Sequence, residues 1–383
     1  MRTTPLDPVK YPAPSRRLRI LLVDEGHTMN CDIFREVPEH EVERLDCLEG
    51  GTSPARFRRQ WAEVREKIRA KRFDLAVVTD RKHCFWRPGA GIFSGLWRLA
   101  KATAVDPGRV AHLLVPRELT RAGIPWALME RNDQCLVREG NHLLFHLANR
   151  VFVRELLQNR YEIFQAYREG SDRIRLWPKA FRGGAKVPMD LTKILPISLG
   201  WKTGKTLAQP NHEKTHDIIF CGQESMRTPR MAAVSELRES ARREGWKFFC
   251  PERLSQEEFH RECARAWLCL SPSGNGWDCY RHYEALLAGS VPLINYPWIE
   301  RYAPLEEGKH CFFFSVERGH LTEVVRRALA QKERLVEMVR SGAQRVQKYH
   351  THEALRNYVI HETLATRAVS DSVRPGVSAK DVV

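Results

Sequence analysis

Between residues 271 and 294 the chain reads SPSGNGWDCYRHYEALLAGSVPLI. Ser273, Gly274, Asn275 and Gly276 form a small, permissive turn, and Arg281 and Glu284 follow it three residues apart. Glycines allow backbone to approach a ligand closely. A helix that starts behind them offers unpaired N–H groups and the positive end of its dipole, which suits an anion. Arg281 adds a full charge near that end, and Glu284 shares its face one turn on. Together these residues suit a diphosphate at the helix end and a vicinal diol on the carboxylate. Tyr280 opens the helix, and Asp278, just before it, is the expected N-cap. A capped surface helix with an Arg–Glu pair uses the same residue types, and such a pair contributes about 1 kcal/mol or less.

Strands must carry that loop and helix. WLCLSP leads in and the apolar run after Pro292 leads out. The same rhythm starts at LRILLVD (18–24), passes through a helical face of Phe57, Trp61, Val64 and Ile68, and returns in FDLAVVTD. Short apolar runs alternating with amphipathic helices predict parallel sheets covered on both faces. A polar stretch, KTGKTLAQPNHEKTH, separates two such series. The expected fold class is therefore α/β, with two doubly wound Rossmann-like domains facing a central cleft and a long C-terminal helical region. The expected segments are a disordered tail over 1–17, a first domain over 18–200, a linker over 201–216 and a second domain over 217–345. A helix crossing back over 346–368 and a second tail over 369–383 complete the chain. Ser255 and Glu258 have capping-box spacing ahead of one helix of the second domain.

With 62 Lys and Arg against 47 Asp and Glu, the formal charge is +15. A basic surface favours anionic partners: nucleotides, nucleic acid, acidic glycans or an anionic membrane surface. The ten cysteines contain no Cys-x-x-Cys pair. Reduced thiols, rather than a disulfide framework or a zinc ribbon, are expected. The opening residues lack the apolar run of a secretory signal, and no segment is long and apolar enough to span a membrane. A cytoplasmic location, with peripheral membrane contact at most, is the expectation.

Three other motifs invite chemistry. HEKTH (212–216) matches the zinc-protease pattern, but that pattern requires a helix. Here Pro210 precedes it and a strand follows at once. GWKTGKT (200–206) is one residue short of a phosphate loop and lacks the helix that should follow. GAGIFSG (89–95) imperfectly echoes a dinucleotide fingerprint without closing a first strand. None is expected to form a site, and no metal ligand is assigned.

The stretch 271–294 resembles the nucleotide-sugar motif of GT-B-fold glycosyltransferases, with exostosin-like members the most similar. In those, a glycine loop precedes Arg-x-x-Glu-Ala and then Ala-Gly-x-Val-Pro. HDIIFCGQESMRTPR (216–230) is similar to the strand, loop and arginine that open their second domain, and weaker similarity reaches back to ANRVFVREL and KILPISLGW. The resemblance implies a glycosyltransferase whose co-substrate is a nucleoside-diphosphate sugar, UDP-linked in the first instance, with no other cofactor. It implies that Glu284 holds the ribose. Arg281, with Arg227 or Arg230, would neutralise the diphosphate beside Ser273, Gly274, Asn275, Gly276 and Tyr280. The acceptor implied is a glycan or lipid-linked glycan, with a hydroxylated nucleic-acid base or a catalytically silent fold as alternatives.

Glycosyl transfer needs a stabilised leaving diphosphate and an activated acceptor hydroxyl. No Asp-x-Asp metal motif occurs in the chain. Cationic side chains and a helix end are therefore expected to serve without metal. Candidates for the base are strand-end residues of the first domain: Asp24, His27 and Asp133, with Asp80 and His83 behind them.

Overall fold

The computed structural model describes residues 11–24, 29–35, 37–46, 54–79, 107–131, 133, 135–136, 141–164, 166–169, 173–176, 190–201, 213–223 and 229–372. They fall into two compact units. One holds the described residues within 11–132, 136–197 and from Arg356 onward; the other holds those within 133–135 and 198–355.

The first unit is built on a six-stranded sheet. Its strands are β1 (Arg19–Asp24), β2 (Glu41–Asp46), β3 (Leu75–Thr79), β4 (Trp126–Glu130), β5 (Arg150–Val153) and β8 (Ile194–Pro196). They are ordered β2-β1-β3-β4-β5-β8, with every pairing parallel. The apolar runs read from the sequence are the central strands: β1 is buried from Ile20 onward, and β3 and β4 throughout. Helices α1 (Pro54–Arg69), α2 (Pro107–Ala122) and α3 (His142–Leu147) belong to this unit. Val64 and Ile68 enter its core with Trp61 half-buried beside them, as the helical spacing predicts; the Phe57 side chain lies outside the described residues. A two-stranded antiparallel ribbon, β6 (Ala166–Glu169) with β7 (Arg173–Leu176), was not anticipated.

Part of the expected tail is ordered. The Tyr11 hydroxyl donates to Glu362 at 2.6 Å, and its ring lies 5.2 Å from that of Tyr358. Arg16 pairs with Asp74 at 2.7 Å. Residues 11–17 are therefore held by partners distant in sequence, which local composition does not reveal.

The second unit has five parallel strands: β9 (His216–Ile219), β10 (Phe248–Phe249), β11 (Ala266–Leu270), β12 (Val291–Asn295) and β13 (Phe312–Phe314). Their order is β10-β9-β11-β12-β13. Its helices are α4 (Pro229–Glu244), α5 (Gln256–Ala264), α6 (Tyr280–Ala288), α7 (His320–Leu329) and α8 (Lys332–Tyr349). The capping box at α5 forms as expected, with Ser255 and Glu258 bonding reciprocally. A last helix, α9 (His352–Ser372), begins in this unit and passes to the other at Arg356. It reaches into the segment 369–383 that was expected to be a tail.

The break between α8 and α9 has a specific cause. The Trp201 N–H donates to the His350 carbonyl at 2.6 Å, and the His352 N–H returns to the Trp201 carbonyl at 2.9 Å. An inserted backbone bridge takes over groups that a continuous helix would pair internally. Among the described residues, no helix is long and apolar enough to cross a membrane.

Candidate functional site

Strand order locates the site. In the second unit β9 is followed by β10 on one side and β11 on the other. The order reverses between β9 and β11, so the crevice for a ligand lies outside the carboxyl ends of those two strands. The loops that leave them are Phe220–Gln223 and Ser271–Cys279.

The second loop is tightly fixed. Ser273 N–H donates to Asn295 Oδ1 at 2.7 Å and the Trp277 indole donates to the Asn295 carbonyl at 2.9 Å. His282, buried in the first turn of α6, bonds Ser271 Oγ through Nδ1 at 2.7 Å and the Trp277 carbonyl through Nε2 at 2.9 Å. A carbonyl can only accept, so Nε2 carries the proton and Nδ1 accepts from the serine. Asn275 is exposed at the tip of the loop.

The expected cap does not form. Cys279, not Asp278, is the N-cap of α6, and no side chain caps it. Asp278 is buried with Oδ2 accepting from the Leu199 N–H at 2.7 Å and Oδ1 from the Tyr283 hydroxyl at 2.6 Å. Two partners outside the loop take both carboxylate oxygens away from the helix end.

Two arginines converge at that end. Arg281 is the second residue of α6; Arg230 is the second residue of α4. Arg281 Nη2 donates to the Cys221 carbonyl at 2.7 Å, and its guanidinium lies 5.1 Å from the Phe220 ring centre. Arg230 lies against Gly274, where a Cβ would fall 2.4 Å from its Nη2. A Cβ at Gly222 would fall 2.6 Å from Arg281 Nη2. Two glycines, one from each loop, thus admit two guanidiniums against the backbone. The sequence suggested a glycine role in the second loop; Gly222 carried no comparable local signal.

This arrangement sets like charges against each other. Helix N-termini carry partial positive charge and disfavour cations, yet each helix presents an arginine in its first turn. Burial, and then the neighbouring Arg281 charge, push the Arg230 pKa down from its ordinary value. Arg230 Nε, Arg281 Nη1 and Ser273 Oγ are buried without a hydrogen-bond partner among the described residues. Buried unpaired donors of this kind cost free energy, and a multiply charged anion would satisfy them together.

Glu284, one turn beyond Arg281, is mostly buried, and its Oε1 accepts from Gln256 Nε2 at 3.1 Å. Tyr280, half-buried, opens the helix. Arg227 lies outside the described residues.

The first-unit candidates fare differently. Asp24 ends β1, beside the order reversal of its own sheet between β1 and β3. It is fully buried, with Oδ2 accepting from Arg44 at 2.8 Å and Arg35 at 4.0 Å from the same oxygen. Asp133 is half-buried and groups with the second unit rather than the first. His27, Asp80 and His83 lie outside the described residues, as does GAGIFSG. Of HEKTH, Glu213 to Thr215 form no helix and His216 opens β9, where it pairs with Glu262 at 3.1 Å. Among the described residues, no group of three His, Cys, Asp or Glu side chains could hold a metal ion.

The chain matches no protein-family model. It matches no curated protein either. Solved structures with a similar chain layout include HepE of Anabaena in complex with UDP and glucose, 12% identical over 91% of this chain and 100% of that one, at a TM-score of 0.46. Another is an α-glucosyltransferase in complex with UDP-glucose and DNA containing an abasic site, 8% identical over 90% and 99%, at 0.49. A third is sucrose-phosphate synthase from Thermosynechococcus elongatus, 10% identical over 93% and 100%, at 0.47. Such likenesses describe layout, not chemistry.

The buried histidines give an acid response. Burial pushes His282 down to about 3, and His350, which bonds Ser198 Oγ and the Ala303 carbonyl, likewise to about 3. An unfolded histidine binds its proton near 6.5, so between pH 6.5 and 3 the unfolded chain holds protons that the folded chain refuses. Stability is therefore intact above pH 6.5 and falls as pH drops, by about 1.4 kcal/mol per pH unit for each histidine. Urea unfolding at pH 7 and pH 5 is expected to show a loss near 4 kcal/mol from the two. A His350→Gln variant should flatten that slope; an unchanged slope contradicts the assignment.

Proposed function

We propose that the chain is a glycosyltransferase that moves a sugar from a nucleoside-diphosphate sugar to a hydroxyl acceptor. The observation that carries this reading is the meeting of Arg230 and Arg281 at two helix N-termini, with buried donors left unpaired. In this reading the diphosphate lies against Gly274 and Gly222, bonded by both guanidiniums and Ser273 Oγ. These groups stabilise the charge that grows on the leaving diphosphate, a stabilisation worth most in a water-poor site. Glu284 accepts hydrogen bonds from the ribose hydroxyls. UDP is the first nucleotide to test. The acceptor is a glycan or lipid-linked glycan, and the base that activates it is sought among Asp24, His27 and Asp133.

A donor screen tests this reading. UDP-, GDP- and ADP-sugars are compared by thermal shift, with mass-spectrometric detection of slow donor hydrolysis. At least one should stabilise the protein and be hydrolysed, and hydrolysis should persist in EDTA. Binding without any turnover points to a silent fold. Activity that vanishes in EDTA and returns with manganese overturns the metal-free mechanism.

A polyanionic acceptor such as nucleic acid is a second reading, favoured by one cluster. Arg65, Arg69 and Arg121 surround the single carboxylate of Glu118 at 3.3, 3.5 and 3.5 Å, leaving excess positive charge across α1 and α2. Arg58, Arg59 and Arg117 are exposed nearby in sequence, with no ion-pair partner among the described residues. Changing these three to Glu is expected to leave nucleoside diphosphate binding intact. It should weaken binding to single-stranded DNA about tenfold or more and reduce the salt dependence. Changing Arg65 and Arg69 instead sets new carboxylates against Glu118 and should lower stability, so those positions report on folding. Unchanged DNA binding in the exposed triple variant removes the second reading.

A further inference from the structure

We propose that Gln256 and His260 are positioning residues for Glu284, and that through it they make the site select ribonucleotides over 2′-deoxyribonucleotides. The inference rests on the donor reading above and adds to it two residues that the helix-and-loop motif does not contain.

Gln256 and His260 are four residues apart on α5, so they share one face of that helix. Both reach the same atom. Gln256 Nε2 donates to Glu284 Oε1 at 3.1 Å, and His260 Nε2 lies 3.7 Å from that oxygen. His260 is 6% exposed, and its Nε2 has no hydrogen-bond partner. A buried ring nitrogen without a partner is costly, and here it stands one small displacement from a carboxylate. The ring is held by aromatic neighbours, with Trp201 at 5.5 Å and Phe259 at 6.0 Å between centres. The start of α5 is fixed by its capping box, which sets where Gln256 projects. No described residue bonds Glu284 Oε2.

The consequence is geometric. A free glutamate rotates about three side-chain bonds, and ordering it on ligand binding costs entropy. The Gln256 donor on Oε1, with the His260 ring packed beside it, fixes the carboxylate before a ligand arrives. Oε2 and a remaining lone pair of Oε1 are left for two adjacent hydroxyls. Vicinal hydroxyls can use both oxygens of a fixed carboxylate; a 2′-deoxyribose can use only one. Preorganisation therefore acts on the contact with the diol and leaves the diphosphate contacts alone.

Calorimetric titration reads this directly. Whichever of UDP, GDP or ADP binds the wild type most tightly is compared with its 2′-deoxy counterpart. The wild type should prefer the ribonucleotide by about tenfold or more. Gln256→Ala, at an exposed position, should reduce that ratio about threefold or more, weakening the deoxynucleotide less than the ribonucleotide, while affinity for inorganic pyrophosphate stays at its wild-type value. His260→Phe should act in the same direction, and Gln256→Asn should not restore the ratio because its amide is one methylene short. The constant pyrophosphate affinity shows that the variants are folded. A full ratio in both the Gln256→Ala and His260→Phe proteins, with the ratio lost in Glu284→Gln, overturns the inference and leaves the donor reading standing. A wild type that binds no nucleoside diphosphate, or a Glu284→Gln protein with an undiminished ratio, overturns both.

Discussion

Arg281→Met is expected to lower nucleoside diphosphate affinity by about a hundredfold or more, yet leave the unliganded protein nearly as stable as the parent. Charge-assisted hydrogen bonds contribute about 1.5–3 kcal/mol each, and a guanidinium can offer two to a diphosphate. The loss of about 3 kcal/mol or more in binding follows. Stability responds differently because the two arginines repel each other and leave buried donors unpaired. Arg281 donates to the Cys221 carbonyl and lies over Phe220, and methionine keeps part of that packing. The substitution also removes the positive charge that, after burial, pushes the Arg230 pKa down. These effects nearly cancel, within about 1 kcal/mol. Arg230→Met should go further: its Nε is unpaired and its charge repelled, so the variant should be no less stable than the parent while binding falls similarly. Opposite movement of stability and affinity distinguishes a ligand site from a structural ion network, in which both would fall. Titration calorimetry of the diphosphate and thermal melting of each variant supply the two numbers. Wild-type affinity in both variants would remove the diphosphate from this end of the sheet.

Much of the candidate site was legible because its parts are contiguous. The loop with Gly274 and Gly276 and the helix with Arg281 and Glu284 occupy a short stretch, and the parallel strands around them are plain apolar runs. What stayed hidden depends on partners distant in sequence. Asp278 has the type and place of an N-cap, but Leu199 and Tyr283 claim its oxygens. Nothing local marks Gly222, whose lack of a side chain matters only because Arg281 crosses it. Gln256 reads as an ordinary first-turn residue until α5 packs against α6. Tyr11 sits in a proline-rich stretch that looks like a tail and is held by Glu362, 351 positions away. Asp24 shows the converse. Its place at a strand end suggested catalysis but did not reveal that Arg44, contributed by the neighbouring strand β2, engages it. Sequence spacing identifies which residues can share a face; tertiary pairing decides which of them remain available for a ligand.

Glu284→Gln tests the other half of the proposed donor site with a change of charge and almost none of shape. The amide oxygen can still accept from Gln256, so the contact at 3.1 Å survives and α6 keeps its packing. The cap position at Cys279 and the Asp278 bonds to Leu199 and Tyr283 are untouched. Folding should therefore be unaffected. What changes is the atom in place of Oε2, which becomes a donor and can no longer accept from a ribose hydroxyl. The negative charge that strengthened both hydroxyl contacts is also gone. Losing one charge-assisted bond and weakening another costs about 1.5–3 kcal/mol, or a ten- to hundredfold loss in affinity. The nucleoside diphosphate alone suffices as ligand, because the ribose contact does not involve the sugar. Inorganic pyrophosphate, which has no ribose, should bind variant and parent alike, isolating the loss to the diol. If the variant folds normally and binds the nucleoside diphosphate as the parent does, Glu284 is a surface partner of Gln256 and nothing more.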